Sequence, residues 1–564
     1  MAKLSYASKP KTSPYIYKTF VDTLCELAKD EPERTAFIFY DLNHVRSSLS
    51  RQELLDRATE SAKKFVKMGL VKGTTVGVCM NNSLEMLILN IGIMIAGGIP
   101  FFFQTNLKDG SDVKDIFNLL GGELLITDAG PGDENWMIID KVWPFNEDKC
   151  SLIPSLKTIL FNGKEQPDIN STMRKSVADF LAADIPDGVT FPQIQPEDTL
   201  AYFCTSGSTG SSKVVTVTHY GVMNWTERMS ERFGVTKHSV WFCDRTFGWL
   251  VGFPRTYLTD GTTRVFVDTR MTIDGRNVGF IADIIEKEGC DLVYLPNYIA
   301  VDMLGRPELG HKFKKVVLIQ MAGERITKAV VDKLQKVFNC KRIMSNYGIT
   351  EMGGVSTYIT TESSGEFEDG IIGEPLDGLE MKIADDTGSV VPVGIQGELL
   401  TRATWKFAGY RGLLGDPSGG TVDALGWFHT GDIAHLRPDG NFVIDGRFKE
   451  FVSIGSMKFF PWSAEKILKT CPGAAAAFAV GVPDKRLKQV ICACVVPIPG
   501  AGLTVELLKS FCSEKFVEDS IGPAVGLKPK YHILLETVPL LASGKNNRRK
   551  LAEIAREKLN LSDI

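Results

Sequence analysis

The chain has 564 residues, of which 44% are apolar and 23% charged, with 64 basic and 68 acidic side chains and a formal net charge of −4. This length supports two or more domains with sizeable cores, and the near balance of charge excludes a global basic field of the kind that attracts nucleic acid or anionic membranes. The eleven cysteines include no C-x-x-C pair and the seven histidines are dispersed, which argues against a zinc centre and for free thiols in a reducing, cytosolic-type compartment.

Lysines stand at 3, 9, 11 and 18 with no acidic residue before Asp22. That weakly resembles a mitochondrial presequence, but arginine is absent and the first helix is expected from about Thr19, leaving little room for a leader. The final residues Leu561-Ser562-Asp563-Ile564 are not a peroxisomal Ser-Lys-Leu address. The expected location is cytoplasmic, with a mitochondrial one as the weaker alternative.

An amphipathic helix is expected over Tyr17 to Ala28, a strand over Ala36 to Tyr40, and a helix over Arg51 to Met68 with Ala58, Ala62 and Phe65 on one stripe. A strand follows at Thr75 to Met80. Met86 to Phe103 is nearly uninterrupted apolar sequence, yet Glu85 and Asn90 lie on it and Gly97-Gly98-Ile99-Pro100 stops a helix near Ala96. About a dozen helical residues span ~18 Å, too short for a ~30 Å hydrocarbon layer, so a buried helix feeding a buried strand over Ile99 to Gln104 is expected and a transmembrane segment is not. Further strands are expected at Leu124 to Ile126, Thr158 to Leu160, Thr263 to Val267, Leu292 to Leu295 and Val316 to Ile319, with helices at Ile281 to Glu288 and Ile326 to Val337. This alternation predicts α/β layers built on mainly parallel sheets. From Gly373 to Asp445 the texture changes to short strands punctuated by Gly, Pro and Asp, the pattern of a small antiparallel sheet or distorted barrel.

Between these elements lies Thr205-Ser206-Gly207-Ser208-Thr209-Gly210-Ser211-Ser212-Lys213, directly after the apolar run Leu200-Ala201-Tyr202-Phe203. Glycines let backbone N–H groups turn toward an anion, hydroxyls add donors and the lysine adds a point charge, so the loop suits a polyphosphate. It is not a Walker P-loop: counted from Gly207, the required Gly and Ser/Thr positions hold Ser212 and Val214.

Downstream, in order, come Asn346-Tyr347-Gly348-Ile349-Thr350-Glu351 after a short strand at Lys341 to Met344, then Gly397-Glu398-Leu399, Thr430-Gly431-Asp432, Asp445-Gly446-Arg447-Phe448-Lys449 and Ser543-Gly544-Lys545. With the hydroxyl-rich loop, this collinear set resembles the adenylate-forming enzymes: acyl-CoA synthetases, 4-coumarate-CoA ligases, beetle luciferases and peptide-synthetase adenylation domains. The resemblance implies an α/β fold: a large N-terminal domain over residues 1–446, with two α/β layers and a small antiparallel barrel, and a small mobile α+β domain over 447–564 hinged near Lys449. It implies activation of a carboxylic acid by ATP with Mg²⁺, then transfer to CoA, in a monomer or homodimer with no nucleic-acid partner.

The same resemblance assigns roles. The Thr205 to Lys213 loop would hold the β- and γ-phosphates, although Ser212 and Val214 replace the usual proline and glycine. Tyr347 would lie against adenine beside the turn Gly323-Glu324, and Thr350 near the α-phosphate. Glu351 would ligate Mg²⁺, which takes one or two carboxylates plus phosphate oxygens. Asp432 would accept hydrogen bonds from both ribose hydroxyls and Arg447 would support the ribose or the phosphates from the hinge. Lys545 would be catalytic, bridging the acid and the α-phosphate. In Asp244-Arg245-Thr246-Phe247-Gly248-Trp249, Arg245 replaces a frequent histidine. Two roles stay open for it: holding the substrate carboxylate, or pairing with Asp244. Phe247, Trp249, Met321, Met352 and Gly353 are candidates for an acyl pocket suited to an apolar acid, medium-chain or aryl. Ser456 replaces a usual glycine in the turn used for thioester formation. Luciferase- or oxidase-like use of the adenylate, and a non-catalytic nucleotide-binding descendant, are the alternatives.

Overall fold

A computed structural model describes residues 3–103, 110–128, 134–143, 150–162, 174–185, 187–205, 213–272, 277–340, 342–361, 365–405, 408–412, 418–454, 457–459, 461–516, 527–539 and 546–561. Among these residues the strands form three sheets, of fourteen, seven and five strands.

The seven-stranded sheet runs in the order Lys213–Thr218, Thr199–Thr205, Ile99–Phe102, Thr75–Cys79, Leu124–Asp128, Thr158–Asn162 and Arg174–Ser176. All its pairings are parallel except the first, an antiparallel hairpin that sets Thr205 opposite Lys213. The centre of the large sheet is also parallel, from Ile343–Ile349 through Leu318–Ala322, Leu292–Tyr294, Val240–Phe242 and Thr263–Val267 to Thr35–Tyr40. Strand alternation sends side chains to two cores. Phe37 and Phe39 join the core between the two sheets, and Ile38 and Tyr40 join the core on the outer face of the large sheet.

The inner core also takes the helices Arg51–Lys67, Leu84–Ile95 and His219–Phe233. Ser50 and Glu53 cap the first reciprocally. The second matches the expected buried apolar helix: Ser83 caps it, it ends at Ala96 before Gly97 at φ +82°, and the strand Ile99–Phe102 follows. A Cβ on Gly92 would come within 2.8 Å of Ser61 Oγ, so this glycine permits the close approach of the first two helices. Among the described residues no helix is long and apolar enough to cross a membrane.

Antiparallel strands extend the large sheet through Gly353–Ile359, Ile371–Pro375, Phe442–Arg447, Phe428–Leu436, Gly397–Arg402 and Glu380–Ala384, ending on Tyr6–Ser8. The path curls until Tyr6–Ser8 lies near Ile371–Pro375 without pairing to it, a distorted barrel with one open seam. The expectation of short strands between Gly373 and Asp445 agrees with this arm, but the N-terminal strand that edges it has no sequence signature. The expected strand at Lys341 to Met344 instead runs over Ile343–Ile349, with a bulge between Tyr347 and Gly348, because it pairs with Leu318–Ala322 on one side and Gly353–Ile359 on the other.

After Arg447 a short 3-10 turn, Phe448–Glu450, leads to the five-stranded sheet. The helices Pro461–Leu468 and Val505–Lys515 cover one face of it and Arg548–Lys558 the other. Cys492 and Cys494 lie two apart on one strand and are buried in the same core, as their spacing requires.

Candidate active site

Parallel strands of α/β sheets present their carboxyl ends to ligand crevices. Here both large sheets aim those ends at the same region. Thr205 ends a strand of the seven-stranded sheet, and Gly323-Glu324 and Thr350-Glu351 follow strands of the large one. Asn82, just past Thr75–Cys79, joins the two sheets, donating to the carbonyls of Asp244 and Arg245 and accepting from Phe247 N.

One corner of the crevice centres on Asp432, only 3% exposed in the strand Phe428–Leu436. Tyr347 Oη donates to Asp432 Oδ2 at 2.5 Å, and Arg447 Nε lies 2.9 Å from Oδ1. Asp432 and Arg447 are register partners on adjacent strands, so backbone pairing places their charges face to face. Gly431, at φ +71°, provides the turn that carries Asp432 N onto Thr430 Oγ1 at 3.0 Å. Burial and the Asp432 carboxylate push the Tyr347 hydroxyl far above its ordinary range, keeping it a donor. The same carboxylate raises Arg447 further. Tyr347, expected from the sequence to lie against adenine, spends its hydroxyl on Asp432 in this structure.

The second corner centres on Glu351, in the turn between Ile343–Ile349 and Gly353–Ile359. Tyr410 Oη donates to Glu351 Oε1 at 2.5 Å, and Lys213 Nζ stands 4.4 Å from the Tyr410 ring centroid. Ser206, Gly207, Ser208, Thr209, Gly210, Ser211 and Ser212 lie outside the described residues, as do Ser456 and Lys545. Among the described residues no group of three or more His, Cys, Asp or Glu side chains could hold a metal. One carboxylate with an oxygen to spare nevertheless fits Mg²⁺, which binds through one or two carboxylates plus substrate phosphates. Glu351 is that carboxylate, and Thr350 stands beside it.

Gly323, at φ +89°, and Glu324 form the turn after Leu318–Ala322. The next residue, Arg325, donates to the carbonyls of Ile444 at 2.5 Å and Asp369 at 2.7 Å, and its guanidinium lies 4.1 Å from the Trp462 ring centroid. One side chain therefore touches the turn, the strand that ends in Arg447 and the first helix of the small sheet. Lys449 sits in the 3-10 turn between them.

A narrow cavity of about 10 Å³ lies beside Thr350 and Glu351, lined by Met352, Gly353, Trp225, Leu250 and Trp405 among others. Met352 and Gly353 are acyl-pocket candidates from the sequence. The other candidates are placed elsewhere. Phe247, 1% exposed, packs on Phe266 and Arg264. Met321 points into the outer core, because strand alternation puts it on the face opposite Gln320. Trp249 is half-buried, its ring 5.9 Å from the Arg245 guanidinium. Arg245 itself grips Asp244 through Nε and Nη2 at 3.0 and 2.5 Å and donates to Tyr298 Oη at 2.6 Å. Of its two possible roles, the structure displays the ion pair with Asp244.

Three residues of this site carry no motif in sequence: Tyr410, Trp225 and Arg255. Trp225 comes from the helix His219–Phe233, which the sequence reading passed over despite Thr218 at its N-cap and Gly234 at its C-cap. Gly353, at φ +70°, lies flat against this indole, where a Cβ would approach ring atoms to 2.6 Å. Behind Trp225, the fully buried Arg255 guanidinium lies 4.4 Å from the ring centroid, and burial lowers its pKa to about 10.

Two α/β sheets with a small trailing domain converge on paired acidic and basic groups around a crevice, and fold alone does not fix the function of such a site. A family model described as AMP-binding enzyme matches residues 25–411, and one described as AMP-binding enzyme C-terminal domain matches residues 463–545. The chain belongs to the AMP-binding enzymes. It is 29% identical over 439 residues to the mitochondrial medium-chain acyl-CoA ligase ACSF2 of Danio rerio, covering 73% of this chain and 67% of that protein. It is 25% identical over 576 residues to the putative acyl-CoA synthetase YngI of Bacillus subtilis, covering 97% and 99%. Among solved structures, the anthranilate CoA ligase AuaEII in complex with anthranoyl-AMP superposes with a TM-score of 0.79 at 20% identity, covering 97% of this chain and 99% of that one.

Proposed function

We propose that the protein is an AMP-forming acid–thiol ligase that activates an apolar carboxylic acid, medium-chain or aryl, and transfers it to CoA. In the first step a carboxylate oxygen attacks the α-phosphorus of ATP, pyrophosphate leaves, and an acyl-adenylate remains. In the second, the CoA thiolate attacks the acyl carbon and AMP leaves. A free carboxylate repels a thiolate and has no good leaving group; the mixed anhydride removes both obstacles.

The observation that carries this reading is the pair of acidic corners on the large sheet, one in the strand Phe428–Leu436 and one in the turn after Ile343–Ile349. At one, Asp432 is buried with Tyr347 and Arg447 on its two oxygens, the geometry to exchange these partners for two ribose hydroxyls. At the other, Glu351 and Lys213 meet across Tyr410. Mg²⁺ bound there would screen triphosphate charge. Lys213 would steady the leaving pyrophosphate, Thr350 would face the α-phosphate, and Gly323-Glu324 would border the adenine. Lys545 would offset the charge that develops as the anhydride forms. The apolar side chains Trp225, Leu250, Met352 and Trp405 beside Thr350 and Glu351 support an apolar acyl group, as do the acids named for the relatives.

The same reading divides the chain at residues 446 and 447, with Lys449 as the pivot on which the small domain turns between the half-reactions. The eleven free cysteines suit a reducing compartment, so a cytoplasmic protein, monomeric or dimeric, is the proposal. Cell fractionation and sedimentation of the full chain test those points. The function itself is tested by acid-dependent ATP–pyrophosphate exchange over a panel of alkyl and aryl acids, repeated with CoA. Exchange with apolar acids and thioester formation are expected; absence of exchange with every acid removes the ligase reading.

A further inference from the structure

Tyr410 has contacts that its place in the chain does not foretell. Its segment is bound to the strand Lys213–Thr218: Arg411 N donates to Val214 O at 2.9 Å and Thr216 N donates to Gly409 O at 3.0 Å. That attachment to the seven-stranded sheet carries the side chain across to the large sheet, where its hydroxyl reaches Glu351 Oε1 at 2.5 Å. On the way, the ring passes 4.4 Å from Lys213 Nζ. One side chain thus touches both the metal-ligand candidate and the phosphate-loop lysine.

We propose that Tyr410 is a positioning residue for the metal–nucleotide complex, with its hydroxyl orienting Glu351 for the divalent cation and its ring holding Lys213 ready for the phosphates. The inference rests on the reading above that this site takes ATP with Mg²⁺. An ionised carboxylate offers two oxygens. The Tyr410 proton occupies Oε1 and stops the group from rotating, while Oε2 has no partner among the described residues. A phenolic hydroxyl bonded to an ionised carboxylate can only be the donor, and Tyr410 Oη stands 2.5 Å from Glu351 Oε1. A neutral donor orients the carboxylate without cancelling its charge, whereas a lysine hydrogen-bonded in the same place would weaken its attraction for a cation. The ring makes the complementary arrangement for Lys213. A cation over an aromatic face is held loosely, and it transfers readily to phosphate oxygens, whose charge-assisted hydrogen bonds are stronger.

Two variants of the full-length protein separate hydroxyl from ring. Tyr410→Phe keeps the ring and loses only the hydrogen bond; groups that support a metal ligand typically change metal affinity 10–100-fold. Titration of Mn²⁺ into the protein–ATP complex, followed by electron paramagnetic resonance, is expected to show a dissociation constant raised by roughly that factor. Binding of ATP in excess EDTA, measured by calorimetry, should stay at the wild-type value. In acid-dependent exchange, the Mg²⁺ concentration for half-maximal rate should rise in parallel, with the saturating rate recovered. Tyr410→Leu removes the ring as well and should also weaken metal-free ATP several-fold, roughly the loss of one cation–π contact. Wild-type metal affinity in Tyr410→Phe, or a rate loss equal at every Mg²⁺ concentration, would overturn the proposal. If Tyr410→Leu does not fold, the single-atom change in Tyr410→Phe still decides. A wild-type protein without exchange would sink the ligase reading, while the Mn²⁺ titration would still report on Tyr410.

Discussion

The two acidic corners use the same elements, a carboxylate and a tyrosine hydroxyl at 2.5 Å, in opposite settings. Asp432 lies within a regular strand, is nearly inaccessible, and has an arginine register partner on its second oxygen. Glu351 lies in a turn, is half-buried, and among the described residues accepts from a neutral donor, with Lys213 set over that donor's ring. The first is a buried, charge-paired socket. The second has no ion-pair partner among the described residues. Burial and pairing, more than residue type, set the two carboxylates apart.

The largest expected effect is that of Lys545. Lys545→Ala should lower adenylation by roughly 10²–10³-fold, the usual cost of one transition-state charge contact. Thioester formation from supplied acyl-adenylate should survive, and equal loss of both half-reactions would contradict its role. Next comes the socket. Asp432→Ala removes two charge-assisted hydrogen bonds and strands the Arg447 charge, so kcat/KM for ATP should fall about 100-fold. Calorimetry should show the loss with and without metal. Glu351→Gln sharpens the contrast, because it removes the charge but keeps the shape. The Mg²⁺ requirement for exchange should rise about tenfold or more, while metal-free ATP binds as before. If both variants weaken metal-free ATP equally, the division of labour between the corners is wrong.

Smaller effects lie at the edges of each corner. Gly353→Ala places a Cβ against the Trp225 ring at a positive φ and should cost about 1–3 kcal/mol in unfolding free energy. Exchange assays should show preference moving to smaller acids; an unchanged acid profile would separate the cavity from acyl selection. Beside the socket, His435 Nδ1 lies 2.9 Å from Asp445 Oδ2, and that carboxylate raises the histidine above its ordinary 6.5. A raised folded pKa makes the contribution complete below 6.5 and lost as pH climbs through the folded value. His435→Gln should therefore lower Tm more at pH 6 than at pH 9, by under about 1 kcal/mol of stability.

Much of the fold was legible in local pattern. The helix Arg51–Lys67 and the strand Thr263–Val267 follow their periodicity closely, and the apolar helix ends where its glycines require. The site was legible as a list of groups: Glu351, Asp432, Arg447 and Lys213 were named before their partners could be known. Tyr410 was not legible, since Gly409-Tyr410-Arg411 matches no local chemical pattern and acts through a strand pairing with Val214 to Thr216. Met321 and Phe247 were misplaced for the complementary reason. Their apolar character is the same in a core as in a pocket, and only the sheet face distinguishes the two.

Sequence alone determined which chemistry this chain can perform, because hydroxyls, carboxylates and lysines at ordered positions state their donors, acceptors and charges directly. Tertiary structure decided how those groups are divided. Asp432 meets Tyr347 and Arg447, and Tyr410 meets Glu351 and Lys213, only after strands distant in sequence have paired. Hydrogen bonds of 2.5 Å and buried charges depend on distances that no spacing along the chain specifies.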